Sequence, residues 1–298
     1  MLHAANFVFL YILHLRMKKI FLLASFLVAA LTSCDIVKAP YTTNPVAGGD
    51  TEIVVKVRKV LLEDYTGHTC GNCPKAARVA DQIKKDYGDK VVVLAVHAGG
   101  FAAPDPPKYL TDFRNQVSTE LYDFFGLLAA GNPNGMVNRA GYPNNHIKGD
   151  ADWNTAVSAE LAKELSAFIT IKNSYDEGSR KIDTEISTEF EQSLQGDYKL
   201  AVYLVEDSII APQKDYTSSS PFFIENYVHK HVLRGSFNGS SQGELISSNP
   251  VKGNPAVTKK YSLSITDPSI DPSHCYVLAF VYNSSTWEVL QAEEKKIK

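Results

Sequence analysis

The chain has 298 residues, 44% of them hydrophobic and 10% aromatic, and a formal net charge of -3. That composition excludes a disordered chain. The lack of a basic excess excludes nucleic acid as a partner, and about 260 residues beyond an export signal are enough for two ordinary domains.

Lys18 and Lys19 follow Met17 and precede an apolar run from Ile20 to Leu31. At about 12 residues the run is too short to span ~30 Å of hydrocarbon and reads as a signal-peptide core. Leu31-Thr32-Ser33-Cys34 comes directly after it and resembles a bacterial lipobox. Cys34 is therefore expected to be lipidated and to open the mature protein, which makes the membrane a partner through that lipid. Residues 1–16 read as an upstream, mis-called start, so residues 1–34 hold that start plus the signal. Residues 35–51, with Pro40, Pro45, Gly48 and Gly49, read as a tether.

Ile53, Val54, Val55 and Val57 predict a first strand, and Val60 to Tyr65 a second, apolar enough to be covered on both faces. Gly67 breaks the run. A helix is expected over residues 70–87, with Ala76, Ala77, Val79, Ala80 and Ile83 as its apolar stripe, ended by Gly88. Val91 to Val96 form the next buried strand, so a right-handed parallel unit is expected. An irregular Gly/Pro-rich stretch, a helix over 110–125, a short strand over 136–138 and a helix opened by Asp152-Trp153 follow. After Phe168 strand-like runs dominate, at 169–173, 181–187, 198–206, 227–234, 259–265, 276–282 and 287–292. The expectation is an α/β domain over 52–167 and an all-β, Ig-like antiparallel sandwich over 168–298.

Cys70-Gly71-Asn72-Cys73-Pro74 stands where strand turns into helix. Two thiols three apart in a first helical turn lie on one face, close enough to pair. The helix N-terminus favours a thiolate at Cys70. The motif is either a redox centre or a small structural clip. If Cys34 is lipidated and Cys70 pairs with Cys73, Cys275 is left in an apolar strand as a small hydrophobe. His229 and His231 share a face of the 227–234 run, but no third ligand stands nearby, so packing is their expected role and no metal or other cofactor is expected.

The order strand, C-x-x-C, helix resembles thioredoxin, and the resemblance implies roles. Asp64, six residues before Cys70, would relay a proton to or from Cys73. A carboxyl buried beside apolar strands has a raised pKa, whereas an exposed Asp at a strand end would not. Pro133, after Asn132, would be the cis-proline facing the motif; the rival reading is a plain N-P-N-G turn. His68 is placed to help stabilise a thiolate at Cys70, and His97 and Asn132 to line the site. Glu63 leaves the strand on the opposite face from Asp64, solvated or paired. Thr69 stands where thioredoxins carry Trp, and Gly71-Asn72 where Gly-Pro is common, which leaves the direction of any exchange open.

The segment from Leu61 to Pro74, with Gly135-Met136-Val137-Asn138-Arg139 and Tyr227-Val228-His229-Lys230-His231-Val232-Leu233-Arg234, also resembles the lipoproteins of Bacteroidetes-type bacteria related to outer-membrane protein 28. That resemblance implies outer-membrane attachment, facing the periplasm or the surface, and a suggested adhesin or receptor role in some relatives. The expected function is thiol–disulfide exchange on envelope proteins, with Cys70 attacking and Cys73 resolving. The alternative is a surface adhesin or binding protein for an envelope or host ligand, with a structural Cys70–Cys73 disulfide. Exchange requires a reachable Cys70 sulfur; a buried one leaves a staple.

Overall fold

In a computed structural model, residues 55–298 are described; Cys34, the signal segment and the tether lie outside them. Val60–Thr66 (β1) is followed by helix Cys73–Tyr87 (α1) and strand Val91–His97 (β2). β1 and β2 pair in parallel, Val60 beside Val91 through Thr66 beside His97. The expected first strand is not formed over residues 55–59. There the backbone N–H of Lys59 goes to the Gln291 side chain, and that amide donates to the Val57 carbonyl.

Helices Gln116–Phe124 (α2), Leu127–Ala130 (α3) and Trp153–Leu161 (α4) complete the helical part, and strand Asn134–Val137 (β3) runs antiparallel to β1. The helix expected from residue 110 starts only at Gln116. Asn115 caps it, its side chain accepting from the Ser118 N–H while the Ser118 hydroxyl accepts from the Asn115 N–H.

The later chain supplies Ala167–Asp176 (β4), Lys181–Phe190 (β5), Asp197–Glu206 (β6), Ile209–Lys214 (β7), Phe223–His229 (β8), Val232–Ser236 (β9), Glu244–Ser248 (β10), Val257–Ser264 (β11), Cys275–Asn283 (β12) and Val289–Lys296 (β13). The expected two-domain division gives way here. One eight-stranded sheet runs β13-β12-β6-β9-β2-β1-β3, with β10 on the edge of β6, so strands from both sides of residue 168 share it. β9 is the seam, parallel to β2 and antiparallel to β6. Residues 55–298 form one compact unit.

A sandwich is present, but one of its layers is that mixed sheet. The other is the antiparallel sheet β11-β5-β4. Ile169, Ile171, Ile182 and Ile186 of the small sheet meet Val202, Leu204, Val277 and Val281 of the large one. On the same face at the other end, Ala76, Ala80 and Ile83 of α1 and Trp153 and Val157 of α4 cover Val60, Leu62 and Val91. The opposite face packs Leu61, Tyr65, Leu94, Tyr203 and Phe280 against Val117 and Leu121 of α2. β7 and β8 form a separate two-stranded hairpin. Among the described residues no helix is long and apolar enough to cross a membrane.

Candidate functional site

Cys70 and Cys73 are joined as a disulfide, Cα–Cα 5.4 Å. The helix starts one turn later than expected: Asn72 is its N-cap, Cys73 its first residue, and Pro74 sits where no N–H is needed. Cys70 therefore precedes the helix. Both cysteines are buried, Cys70 at 3% exposure and Cys73 at 1%. An exposed, dipole-activated Cys70 is not what the chain presents.

The hairpin is seated on the loop that carries Cys70. Lys214 and Tyr216 donate backbone N–H groups to the carbonyls of His68 and Gly71, each at 2.8 Å. The Gln213 side chain donates to the carbonyls of Gly67 and Cys70. A Cβ on Gly71 would lie 2.6 Å from the Tyr216 ring, so the two are in direct apposition. Tyr216 itself is 54% exposed and forms the outer surface of the cover.

Sequence reasoning missed this hairpin. Pro212 interrupts the short apolar run of β7 and demotes it as a strand, and the 227–234 run reads as one strand. It is two: β8 ends at His229, His231 has φ of 48°, and β9 begins at Val232. The two histidines thus part company. His231 lies between Asp207 and Glu294, at 3.6 and 3.4 Å, whereas His229 points back toward the cysteine motif.

A cleft of about 290 Å³ opens between α1, β1–β2 and the hairpin. Asp64, Thr66 and Cys73 line it with Ala77 and Ala80 of α1, Val93, Ala95 and His97 of β2, and Tyr227 and His229 of β8. Asp64 is 3% exposed and its Oδ1 has no hydrogen-bond partner. Burial, reinforced by Asp150 and Asp81, pushes its pKa up to about 7. Thr66 and His97 sit side by side in register, two pairs beyond Asp64 and Ala95.

The histidines here are uncharged. His68 is fully buried, its Nε2 within 2.8 Å of the Ala103 carbonyl, and burial lowers its pKa. Burial thus disfavours the positive charge that a thiolate-stabilising role at Cys70 would use. His97 is lowered further, by burial and by His229 and His68, and His229 falls to about 4 through burial. His68, His97 and His229 each pack against Phe113. His97 Nδ1 and His229 Nε2 have no partner. Among the described residues no three His, Cys, Asp or Glu side chains gather in a metal-binding arrangement.

The Asn132–Pro133 peptide is cis. β3 begins at Asn134 opposite Tyr65, which places Pro133 beside Thr66 at the sheet edge. Neither Asn132 nor Pro133 lines the cleft. Cys275 is free and buried, its thiol pushed up to about 12 mainly by burial.

Fold and site define a mixed-sheet α/β protein with a β-sandwich layer, whose C-x-x-C is closed and sheltered beneath its own hairpin. The chain belongs to the outer membrane protein Omp28 family, whose model matches residues 118–298; the outer membrane is its location. Among solved structures it is similar to HBP35 of Porphyromonas gingivalis, at 15% identity and a TM-score of 0.59, over 82% of this chain and 76% of that one. A domain of the outer membrane lipoprotein Omp28 from Porphyromonas gingivalis matches at 21% identity and a TM-score of 0.31, over 46% of this chain and 91% of that one. An Agrobacterium tumefaciens protein matches at 12% identity and a TM-score of 0.48, over 82% and 97%. The first likeness speaks for the fold alone. Among curated proteins none matches the chain.

Proposed function

We propose that the chain is an outer-membrane binding protein, held by lipid on Cys34, in which Cys70–Cys73 is a static clip and the cleft receives an envelope or host ligand. The observation that carries this reading is the shelter of both sulfurs. Thiol–disulfide exchange needs a reachable, ionisable sulfur, and here the hairpin is seated by backbone hydrogen bonds on the loop that carries Cys70. The clip braces the loop, the loop seats the hairpin, and the hairpin walls the cleft.

A second reading rests on one specific observation. Asp64 is a buried carboxyl with an unpartnered oxygen, and it shares the cleft with Cys73. A clip has no use for such a group, and burying it is costly. In this reading residues 52–167 act as a thioredoxin-like unit. Once a thiol donor of the envelope has reduced Cys70–Cys73 and the hairpin lifts, Cys70 attacks a disulfide of an envelope protein and releases one of its thiolates, Cys73 attacks the mixed disulfide to re-form Cys70–Cys73 and release the other, Asp64 relays the proton and Pro133 shapes the groove.

One experiment separates the two. The Cys73→Ser variant is expressed in cells and Cys70 is searched for trapped mixed disulfides, while the purified full-length protein is assayed for insulin reduction. The binding reading expects neither trapped partners nor insulin reduction. Trapped envelope proteins overturn it and establish exchange.

A further inference from the structure

Charge bookkeeping around the cleft leaves one group over. Lys230 pairs with Asp81 at 2.7 Å across the mouth. Arg78 pairs with Asp215 at 3.2 Å, and Lys75 with Asp150 at 3.2 Å. Each of these cations already has its anion. Asp64 has none: no basic side chain lowers its pKa, and the charged groups acting on it are the carboxylates of Asp150 and Asp81. Tyr227, facing it from β8, is a neutral phenol. His97 and His229, farther along the same wall, are neutral imidazoles, each with one bare ring nitrogen. Thr66 and Gln213 also line the cleft, and the Gln213 amide already donates to the carbonyls of Gly67 and Cys70; Pro74, Ala77, Ala80, Val93 and Ala95 make the apolar part of the wall.

We propose that this cleft binds a small organic monocation, an ammonium group on a compact apolar body, with Asp64 as its counter-ion. The inference rests on the binding-protein reading and names its ligand class. The ammonium supplies the charge that Asp64 lacks, at a carboxyl only 3% exposed, where a charge-assisted hydrogen bond is strong. The body rests on the alanines and valines, which offer no competing polar group. The volume is at the small end for a ligand pocket. A compact free amine fits that volume.

The test uses three probes with one ring and different charge: benzylamine, benzyl alcohol and benzoate. Binding to the full-length protein is followed at pH 8 by calorimetry and by the ligand-dependent rise in melting temperature. Benzylamine should bind saturably, benzyl alcohol at least tenfold more weakly, and benzoate not at all. Benzylamine affinity should rise between pH 6 and pH 8 as Asp64 ionises. Asp64→Asn should cost tenfold or more, and Ala77→Phe, which fills the mouth and leaves the carboxyl untouched, should block all binding. Equal binding of the amine and the alcohol, or unchanged amine binding by Asp64→Asn, overturns the ammonium assignment and leaves the cleft a binding site. No saturable binding of any probe overturns the ammonium assignment too, while the binding-protein reading stands or falls by the trapping and insulin assays. The charge series needs no variant, so it decides even where a variant fails to fold.

Discussion

Glu63 and Asp64 are neighbours on β1 whose carboxyls leave opposite faces of the sheet into opposite surroundings. Glu63 accepts two hydrogen bonds from Arg139, at 2.7 and 2.8 Å, with both side chains fully buried. The guanidinium lies 4.8 Å from the ring centres of Phe125 and Phe280. Asp64 has no such partner.

Breaking the Glu63–Arg139 pair should be among the most damaging single changes in the chain. Glu63→Gln or Arg139→Met leaves one buried charge unpaired, at a cost of about 3–5 kcal/mol. Denaturant unfolding reads this directly as a shift in midpoint. A loss under about 1 kcal/mol would mean that the partner left behind finds water.

Asp64→Asn should do the reverse above neutrality. The folded pKa is about 7 against an ordinary 3.8, so between those values the folded state holds the extra proton. Stability therefore falls as pH rises from about 4 to 7, by on the order of 4 kcal/mol. His229 acts in the opposite sense. Its pKa falls from 6.5 to about 4, so the unfolded state takes the proton first, and about 3 kcal/mol is lost as pH drops from 6.5 to 4. His68 and His97, whose pKa values burial also lowers, act in the same direction as His229. Asp64→Asn should therefore steepen the rise in stability with pH over this range, and His229→Gln should flatten it; urea melts at pH 5 and pH 8 compare them with the native protein.

Gly71 should not tolerate a side chain while Tyr216 is present. Gly71→Ala pushes a methyl into the ring and should unseat the hairpin, seen as faster reduction of Cys70–Cys73 by a phosphine. Tyr216→Ala in the same chain should restore hydrogen-exchange protection at Lys214, whose N–H bonds the His68 carbonyl. Non-additivity of the pair measures their contact.

Thiol labelling should be graded by burial. In the folded, unreduced protein no cysteine among Cys70, Cys73 and Cys275 should react with a maleimide. Cys275, fully buried and with a raised thiol pKa, should label only with global unfolding. Labelling of Cys275 under native conditions would point to local opening of β12.

Much of the α/β part was legible in the chain. The apolar runs of β1 and β2 and the stripe on α1 stand nearly where periodicity puts them, because strands covered on both faces and an amphipathic helix each leave a local signature. The burial of Asp64 followed from its place among apolar strand residues. What could not be read was long-range. Nothing local in Val232–Ser236 announces that it will lie beside Val91–His97, and nothing in Gln213–Tyr216 announces that it will cap Cys70. Those facts decide whether the cysteine motif faces solvent. His229 and His231 show the same limit at short range: one residue in left-handed conformation turned an apparent shared face into two separate sites.

The placement of β9 between β2 and β6 bears on how the exported chain assembles. β1 and β2 emerge early, yet one flank of their sheet stays open until a strand from far downstream arrives to close it. Joining strands so distant along the chain is slow, because a long loop must close before the contacts repay it. During that wait the apolar edge of β2 is exposed. Newly exported molecules should therefore lean on envelope chaperones in proportion to the delay, and a chain cut short before Val232 should aggregate while its first helix and strands are intact.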